Sequence, residues 1–219
     1  MNSFQDHLTN FLNGTRLGRF VLAYYLLQKN FLSKSGWTKT VLLKQPLNRK
    51  KEPIPWFTYS FISFLSPRMK ANFRIFEFGS GNSTLWLSSF GCDVVTVEHD
   101  AKWYKILEPK FSKMPNVSSS LENLETKAYS RSILAYEEAF DIVIIDGRDR
   151  IECCKNSLQA LKSDGVVIWD NSDRTEYAEG YEILRQNGFK RIDFQGLGPI
   201  NSKPWGTSLF YRQHNCMKV

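Results

Sequence analysis

Apolar and polar residues follow two kinds of pattern along residues 73–212. Short apolar runs, which suit strands buried on both faces, alternate with longer segments in which apolar residues recur at helical spacing. The runs predict strands at residues 73–78, 93–98, 117–121, 141–146, 165–169, 189–194 and 207–212. Helices are predicted to start near residues 83, 101, 151 and 175. This alternation predicts an α/β fold with a doubly wound, mostly parallel sheet.

The first 45 residues have a different pattern, with apolar residues on one face of two predicted helices. These residues are Phe4, Leu8, Phe11 and Leu12, and then Leu17, Phe20, Val21, Tyr24 and Leu27. Gly14 and Gly18 predict a break between the two helices. Such helices could pack on the core or cover the mouth of an active site, and docking to a membrane surface or a partner is the alternative.

Three prolines, at positions 46, 53 and 55, predict a rigid connector that leads into a helix over residues 56–65. A chain of 219 residues is long enough for one well-buried α/β domain and short for two. We therefore predict an N-terminal helical extension at residues 1–52 and a single domain at residues 53–219.

The cysteine content indicates the cellular compartment, whereas the net charge does not identify a binding partner. A net charge of +7 would suit nucleic acid, an anionic membrane or an acidic substrate, and it selects none of them. The basic run Arg49, Lys50 and Lys51 is interpreted as a solvated loop. The apolar stretch at residues 20–27 is too short to span a bilayer, so no membrane span is predicted. Four cysteines without metal-ligand spacing, and no secretory signal, favour a cytoplasmic protein.

The segment at residues 76–84 couples a short apolar strand to two closely spaced glycines and a helix start. Gly79 and Gly81 would let the backbone turn sharply and approach a ligand closely, although a tight structural turn would use the same residues. Asn82 or Ser83 is predicted to cap the helix that follows. The segment therefore predicts a nucleotide-type ligand site.

A carboxylate follows the next strand at the distance expected of a ribose ligand. Glu98 ends the strand at residues 93–98, about twenty residues after the glycines. Its alternative interpretation is a solvated acid at a strand end. Together with the glycine loop, Glu98 is the candidate for the ribose hydroxyls.

These motifs resemble those of the class I S-adenosylmethionine-dependent methyltransferases. Residues 140–147 and 164–171 are similar to the fourth and fifth strands of that family, and the resemblance covers roughly residues 53–212. It implies a Rossmann-like methyltransferase fold with seven strands, the last two forming a reversed pair. It also implies S-adenosylmethionine as the cofactor. The residues expected around the cofactor are Glu77, Gly79, Ser80, Gly81, Asn82, Ser83, Glu98, His99 and Asp146.

Oxygen ligands at two neighbouring strand ends suggest a metal. Asp146, Asp170 and Asn171 are expected to converge there, and hard oxygen donors suit Mg²⁺. The pattern is similar to that of metal-dependent O-methyltransferases of the catechol and macrolide-sugar types. Catechol-type enzymes place a catalytic lysine three residues after the first metal acid, where this chain has Asp149. This departure puts a catechol substrate in doubt.

The resemblance implies that Asp146 and Asp149 carry the catalysis, with Asp149 as base and Arg148 or Arg150 neutralising charge. The alternative for Asp149 is a salt-bridged turn. The predicted reaction is O-methylation of a sugar, a glycan or another small hydroxyl acceptor. The alternatives are an RNA or protein methyltransferase, and a catalytically silent binding module. Nucleic acid is not favoured, because the chain lacks the Asn/Asp-Pro-Pro-aromatic signature of base-amine methyltransferases. Trp205 and its loop are expected to border the acceptor pocket, and the alternative is that Trp205 fills the core. The sequence leaves open whether the chain forms a homo-oligomer.

Overall fold

The computed structural model describes residues 14–219, with the backbone alone at residues 26–28. Seven strands form one sheet in the order β3-β2-β1-β4-β5-β7-β6. They are β1 (Arg74–Phe78), β2 (Asp93–Glu98), β3 (Val117–Leu121), β4 (Phe140–Ile145), β5 (Leu161–Asp170), β6 (Lys190–Gly196) and β7 (Trp205–Tyr211). Only β7 runs antiparallel to its neighbours β5 and β6. The predicted fold class and the reversed pair are therefore confirmed.

Helices flank the sheet and precede it. The α-helices of residues 16–219 are α1 (Arg16–Lys29), α2 (Phe31–Ser35), α3 (Trp37–Leu43), α4 (Tyr59–Leu65), α5 (Asn82–Ser88), α6 (Ala101–Phe111), α7 (Ala128–Arg131), α8 (Arg150–Ala160) and α9 (Ala178–Gln186). Short 3-10 turns occupy Ser66–Arg68, Ser132–Ala135 and Thr175–Tyr177. The helix predicted to start near residue 175 thus begins as a 3-10 turn and becomes α-helical at Ala178.

The core consists of two apolar layers, one on each face of the sheet. Alternate residues of β4 and β5 supply both layers because successive side chains of a strand point to opposite faces. One layer contains Ile142, Ile144, Val166 and Ile168, and the other contains Val143, Ile145, Val167 and Trp169. The continuous apolar runs in the sequence are explained by this two-sided burial.

Two helix starts differ from the sequence prediction. The helix predicted over residues 56–65 begins at Tyr59, because the Thr58 hydroxyl accepts the Phe61 N–H at 3.4 Å and caps the helix there. The break predicted at Gly14 and Gly18 lies at Thr15, whose Oγ1 accepts the Gly18 N–H at 3.0 Å. Gly18 is thus inside the first turn of α1.

The remaining predictions for this region have mixed outcomes. Further breaks follow at Asn30 and Gly36 and divide residues 16–43 into three helices. Phe4, Leu8, Phe11 and Leu12 lie outside the described residues, as does the side chain of Leu27.

The extension is attached to the sheet through the loop between β6 and β7. Trp37 Nε1 donates to the carbonyl of Asn201 at 3.0 Å, and the Ile200 N–H donates to Thr40 Oγ1 at 2.8 Å. An isolated bridge between Leu47 and Pro53 then closes a turn at the predicted domain boundary. Among the described residues, no helix is long and apolar enough to cross a membrane.

All four cysteines are buried free thiols. Cys153 and Cys154 are packing residues of α8, and both belong to one apolar layer.

Gly180 on α9 allows a close approach between that helix and β5. A Cβ built at this position would overlap with the ring of Trp169. We expect Gly180→Ala to lower the unfolding free energy by about 1–3 kcal/mol, because the fully buried indole must move in a close-packed core. Thermal unfolding measures this effect, with the exposed neighbour Glu179→Ala as the control. Equal stability of Gly180→Ala and the native chain would contradict the packing argument.

Candidate functional site

The glycine loop lies between β1 and α5, at the carboxyl edge of the sheet. Gly79 has a φ of 98°, and a Cβ there would lie 3.2 Å from the Cα of Gly147. A Cβ on Gly81 would meet only the Ser83 hydroxyl, at 4.0 Å, so this backbone borders open space. A ligand can therefore approach the main chain of the loop closely.

The cap of α5 differs from the prediction, because the helix begins at Asn82 and Gly81 is the capping residue. Glycine has no side chain that could accept a hydrogen bond from the helix. Instead, the Thr84 hydroxyl in the first turn of α5 accepts the Gly81 N–H at 3.1 Å. The Asn82 amide instead donates to the carbonyl of Pro46 at 2.7 Å. Asn82 thereby connects the loop to the N-terminal extension.

Glu77 is a fully buried carboxyl group with one unpaired oxygen. Its Oε2 accepts the Thr84 hydroxyl at 2.5 Å, whereas Oε1 has no partner among the described residues. Burial raises the pKa of Glu77 to about 7, and the nearby hydroxyl groups of Ser83 and Thr84 only partly oppose this shift. A ligand that brings an N–H or a positive charge to Oε1 would satisfy the group.

Glu98 joins the end of β2 to the glycine loop. Its Oε2 accepts the Ser80 N–H at 3.0 Å, and its Oε1 accepts the N–H groups of His99 and Asp100 at 2.8 and 2.9 Å. His99 Nδ1 lies 2.9 Å from the same Oε1. Glu98 and His99, which are about twenty residues from the glycine loop in sequence, thus lie beside Ser80 of that loop.

Two residues of this region had no sequence signal. Trp103 Nε1 donates to the carbonyl of Ser80 at 2.8 Å, which places an indole against the loop. The buried Tyr129 hydroxyl has no partner among the described residues, and a Cβ on Gly147 would overlap with it. Trp103 could be found only as an aromatic near the start of the helix after Glu98. Tyr129 belongs to the short helix α7, which no periodicity predicted.

Arg150 lies between the three predicted metal ligands. Its Nη2 is 3.3 Å from Asp146 Oδ1 and 3.4 Å from Asn171 Oδ1, and its Nη1 donates to the main-chain carbonyl of Asp170. Its Nε donates to the carbonyl of Gly147 at 2.9 Å. The buried guanidinium therefore ties the carboxyl ends of β4 and β5 together.

The carboxylate of Asp170 is already saturated by protein donors. Oδ1 accepts Trp205 Nε1 at 3.0 Å and the Thr207 hydroxyl at 2.6 Å, and Oδ2 accepts the Asn171 amide at 2.9 Å. Trp205 is itself buried, so its side chain fills the core and does not form an exposed wall of an acceptor pocket. Burial, together with the nearby charge of Asp146, raises the pKa of Asp170.

Asp146 directly follows β4 and has a shifted pKa as well. Burial raises its pKa to about 7, while the Arg150 cation acts in the opposite direction. A carboxyl group with a pKa near neutrality suits proton transfer at physiological pH.

Asp149 occupies the residue before α8 and has a φ of 50°. Its carboxylate lies 3.1 Å from Lys127 Nζ, an arrangement that corresponds to the salt-bridged turn. Its role as a base stays a prediction.

The site fits S-adenosylmethionine better than it fits Mg²⁺. The open backbone at Gly81 and the unpaired Glu77 Oε1 suit a ligand with a cationic amino group. The predicted metal ligands already share a guanidinium, and no group of three His, Cys, Asp or Glu within residues 14–219 is arranged to hold a metal. As arranged, these residues do not fit a divalent ion, because Arg150 contacts the side-chain oxygens of Asp146 and Asn171, and neutral donors occupy the Asp170 carboxylate.

Comparison with solved structures shows that the chain has the fold of class I methyltransferases. A Staphylococcus aureus protein assigned as a caffeoyl-CoA O-methyltransferase has a TM-score of 0.55 and 15% identity, covering 90% of this chain and 99% of that one. A precorrin-6Y C5,15-methyltransferase from Geobacter metallireducens GS-15 has a TM-score of 0.54 and 15% identity, covering 70% and 87%. An rRNA methylase from Streptococcus thermophilus has a TM-score of 0.51 and 18% identity, covering 69% and 93%. No protein-family model and no curated sequence matches the chain.

The raised pKa of Glu77 predicts a stability cost at high pH for the ligand-free protein. The protonated carboxyl stabilises the fold fully below pH 4.5, and this contribution is lost as the pH rises through about 7. We expect Glu77→Gln, which carries no charge, to be more stable than the native chain at pH 8 by about 1–2 kcal/mol.

Thermal unfolding across this pH range tests the prediction, with the exposed Glu125→Gln as the matched control. The pH dependence should be shallower for Glu77→Gln alone. Parallel pH profiles for all three proteins would mean that Glu77 is not desolvated as described.

Proposed function

We propose that this chain is an S-adenosylmethionine-dependent methyltransferase that methylates a hydroxyl group of a sugar, a glycan or another small acceptor. The observation that carries this proposal is the glycine loop with two buried carboxylates, Glu77 and Glu98, at the carboxyl edge of a sheet with this topology. In open parallel sheets, ligands bind at this edge. The fold alone does not choose the reaction, because the similar structures bear the names of enzymes with different acceptors.

The residues around the loop have separate roles in holding the cofactor. Glu77 Oε1 would accept the amino group of the methionine part, since it is the buried oxygen that lacks a donor. Glu98 would accept ribose hydroxyls through the lone pairs that the loop N–H groups leave free. Gly79, Ser80 and Gly81 would line the cofactor with main chain, and Asn82, Ser83 and His99 border the same loop.

Asp146 is the proposed general base. Bound S-adenosylmethionine would supply an electrophilic methyl group for the acceptor oxygen, and its sulfur would keep the electron pair of the broken carbon–sulfur bond. Asp146 takes the hydroxyl proton, for which its pKa of about 7 is suited. Asp149 is a weaker candidate, since its carboxylate is paired with Lys127.

Arg150 is proposed to take the electrostatic role that the sequence assigned to Mg²⁺. Its fixed positive charge lies against Asp146 and Asn171 and offsets the repulsion between the acids at the strand ends. A guanidinium cannot be deprotonated here and cannot exchange with solvent ions. Methyl transfer is therefore proposed to proceed without a divalent cation.

The alternatives are an RNA or protein methyltransferase and a silent binding module. The methyltransferase domain at residues 53–219 contains 20 Lys or Arg and 20 Asp or Glu, so its surface has no cationic excess for a nucleic-acid backbone. Two carboxyl groups with pKa values near neutrality favour an active enzyme over a silent module, because such shifts are common at catalytic sites.

The ribose role of Glu98 predicts a loss of cofactor affinity in Glu98→Ala. Hydrogen bonds to a charged group are worth about 1.5–3 kcal/mol, so S-adenosylmethionine should bind roughly 10- to 100-fold more weakly. Calorimetry measures the affinity, and Glu125→Ala is the control. A 2′-deoxyribose analogue separates ribose recognition from loop damage, because its loss of affinity should be large in the native chain and small in Glu98→Ala. An equal loss in both proteins would remove Glu98 from the ribose site.

The base role of Asp146 predicts a methyl-transfer rate that rises with pH up to about 7 and then levels off, since the carboxylate must be unprotonated. Asp146→Asn should lower the turnover number about 10²- to 10⁴-fold and leave cofactor affinity within a few-fold. Asp149→Asn is the matched control and should retain most of the activity. Transfer of a labelled methyl group to a panel of glycans, small phenols and RNA measures the rates.

Chelation separates the two cation hypotheses in the same assay. Dialysis against EDTA should leave the rate unchanged if Arg150 is the resident cation. Loss of activity in EDTA that added Mg²⁺ or Mn²⁺ restores would show that a metal displaces the guanidinium, and would overturn the metal-free mechanism.

A further inference from the structure

Residues 14–51 carry the entire excess of positive charge in the chain. They contain nine Lys or Arg and no Asp or Glu. All nine cations are exposed: Arg16, Arg19, Lys29, Lys34, Lys39, Lys44, Arg49, Lys50 and Lys51. None of them forms an ion pair within residues 14–219. This segment therefore presents an unneutralised cationic surface, which favours an anionic partner.

The same segment exposes most of the large apolar side chains that solvent reaches. Of fourteen such side chains in the described part of the chain, nine lie between residues 17 and 43. On α1, Leu17, Phe20, Val21 and Tyr24 recur at the spacing of one helical face, and Leu17 and Phe20 are 74% and 72% exposed. An exposed apolar patch of this kind marks an interaction site.

We propose that the segment at residues 16–51 docks on an anionic phospholipid surface, with α1 lying in the plane of the headgroups. The apolar face of α1 would enter the acyl boundary. Arg16, Arg19 and Lys29 are exposed and lie outside that face. The proposal goes beyond the methyltransferase function and does not depend on it.

Charge and apolar exposure together favour lipid over the other occupants. RNA would engage the cations and leave Leu17 and Phe20 in water. A second copy of the chain would bring one cationic segment against another, which is unfavourable. Only an anionic membrane offers phosphates and an apolar layer at the same interface.

The geometry of α1 agrees with a helix on the surface and not across it. The helix has 14 residues, which is about 21 Å and shorter than the hydrocarbon core. Its opposite side carries the buried Gly18 and the half-buried Leu22.

The part of the basic segment that follows α1 is attached to the domain. The Asn82 amide donates to the carbonyl of Pro46 at 2.7 Å, which joins the glycine loop to this segment. Trp37 and Thr40 hold the same segment to the β6–β7 loop.

Sedimentation of the full chain with vesicles tests the proposal. Binding is expected to vesicles of equimolar phosphatidylcholine and phosphatidylglycerol, weak binding to phosphatidylcholine alone, and release by salt. Each neutralised cation should weaken binding about five-fold, so Arg16→Gln/Arg19→Gln/Lys29→Gln should lose roughly 100-fold. The control Lys105→Gln/Lys110→Gln/Lys113→Gln removes three exposed cations from another face and should bind normally.

Apolar variants distinguish lipid from the other occupants. Leu17→Gln/Phe20→Gln should also lose vesicle binding, whereas Ile106→Gln, an exposed apolar control, should not. Binding to RNA that depends on the cations but not on Leu17 and Phe20, without vesicle binding, would overturn the proposal. A native dimer that Leu17→Gln/Phe20→Gln converts to a monomer, together with no vesicle binding by the native chain, would also overturn the proposal.

Discussion

The cost of burying carboxylates at the carboxyl edge of the sheet is the constraint on which the site depends. Glu77, Glu98, Asp146 and Asp170 lie at or beside the carboxyl ends of four neighbouring strands. Glu77, Glu98 and Asp170 are buried, and the side chain of Asp146 is 25% exposed. An ionised carboxyl group in such a place needs donors or a cation, or else it takes up a proton. The chain uses all three solutions, and their distribution gives each acid a different chemistry.

Glu98 is stabilised by three main-chain N–H groups, and Asp170 by Trp205, Thr207 and Asn171. These donors hold Glu98 and Asp170 in place, although burial and the charge of Asp146 still raise the pKa of Asp170. Glu77 has one oxygen without a donor and Asp146 contacts Arg150, and the pKa of each is raised to about 7. Under the proposed function, Glu77 binds the amino group of the cofactor, the free lone pairs of Glu98 bind the ribose, and Asp146 takes the proton.

Arg150 links the carboxyl ends of β4 and β5. One guanidinium contacts both strand ends through main-chain and side-chain oxygens, and it supplies a permanent charge where the sequence predicted a metal ion. The charge balance of the N-terminal extension is different. Residues 53–219 contain as many Lys and Arg as Asp and Glu, whereas residues 14–51 contain nine Lys or Arg and no acid.

The sequence by itself determined the fold class, the reversed strand pair and the positions of the strand-end acids. Those features depend on local periodicity and on the glycine spacing, which a linear chain displays directly. The sequence also predicted that Asp146, Asp170 and Asn171 converge, because parallel strands end at one edge. It could not show that Arg150 reaches the space between them, or that Asp149 pairs with Lys127, because both contacts depend on side-chain directions at a helix start. Nor could it show that Gly81, and not Asn82 or Ser83, is the capping residue of α5, with the Thr84 hydroxyl accepting the Gly81 N–H. The charge contrast between residues 14–51 and the rest of the chain is present in the composition, but its meaning required the tertiary structure, which shows that these cations and apolar side chains are exposed together.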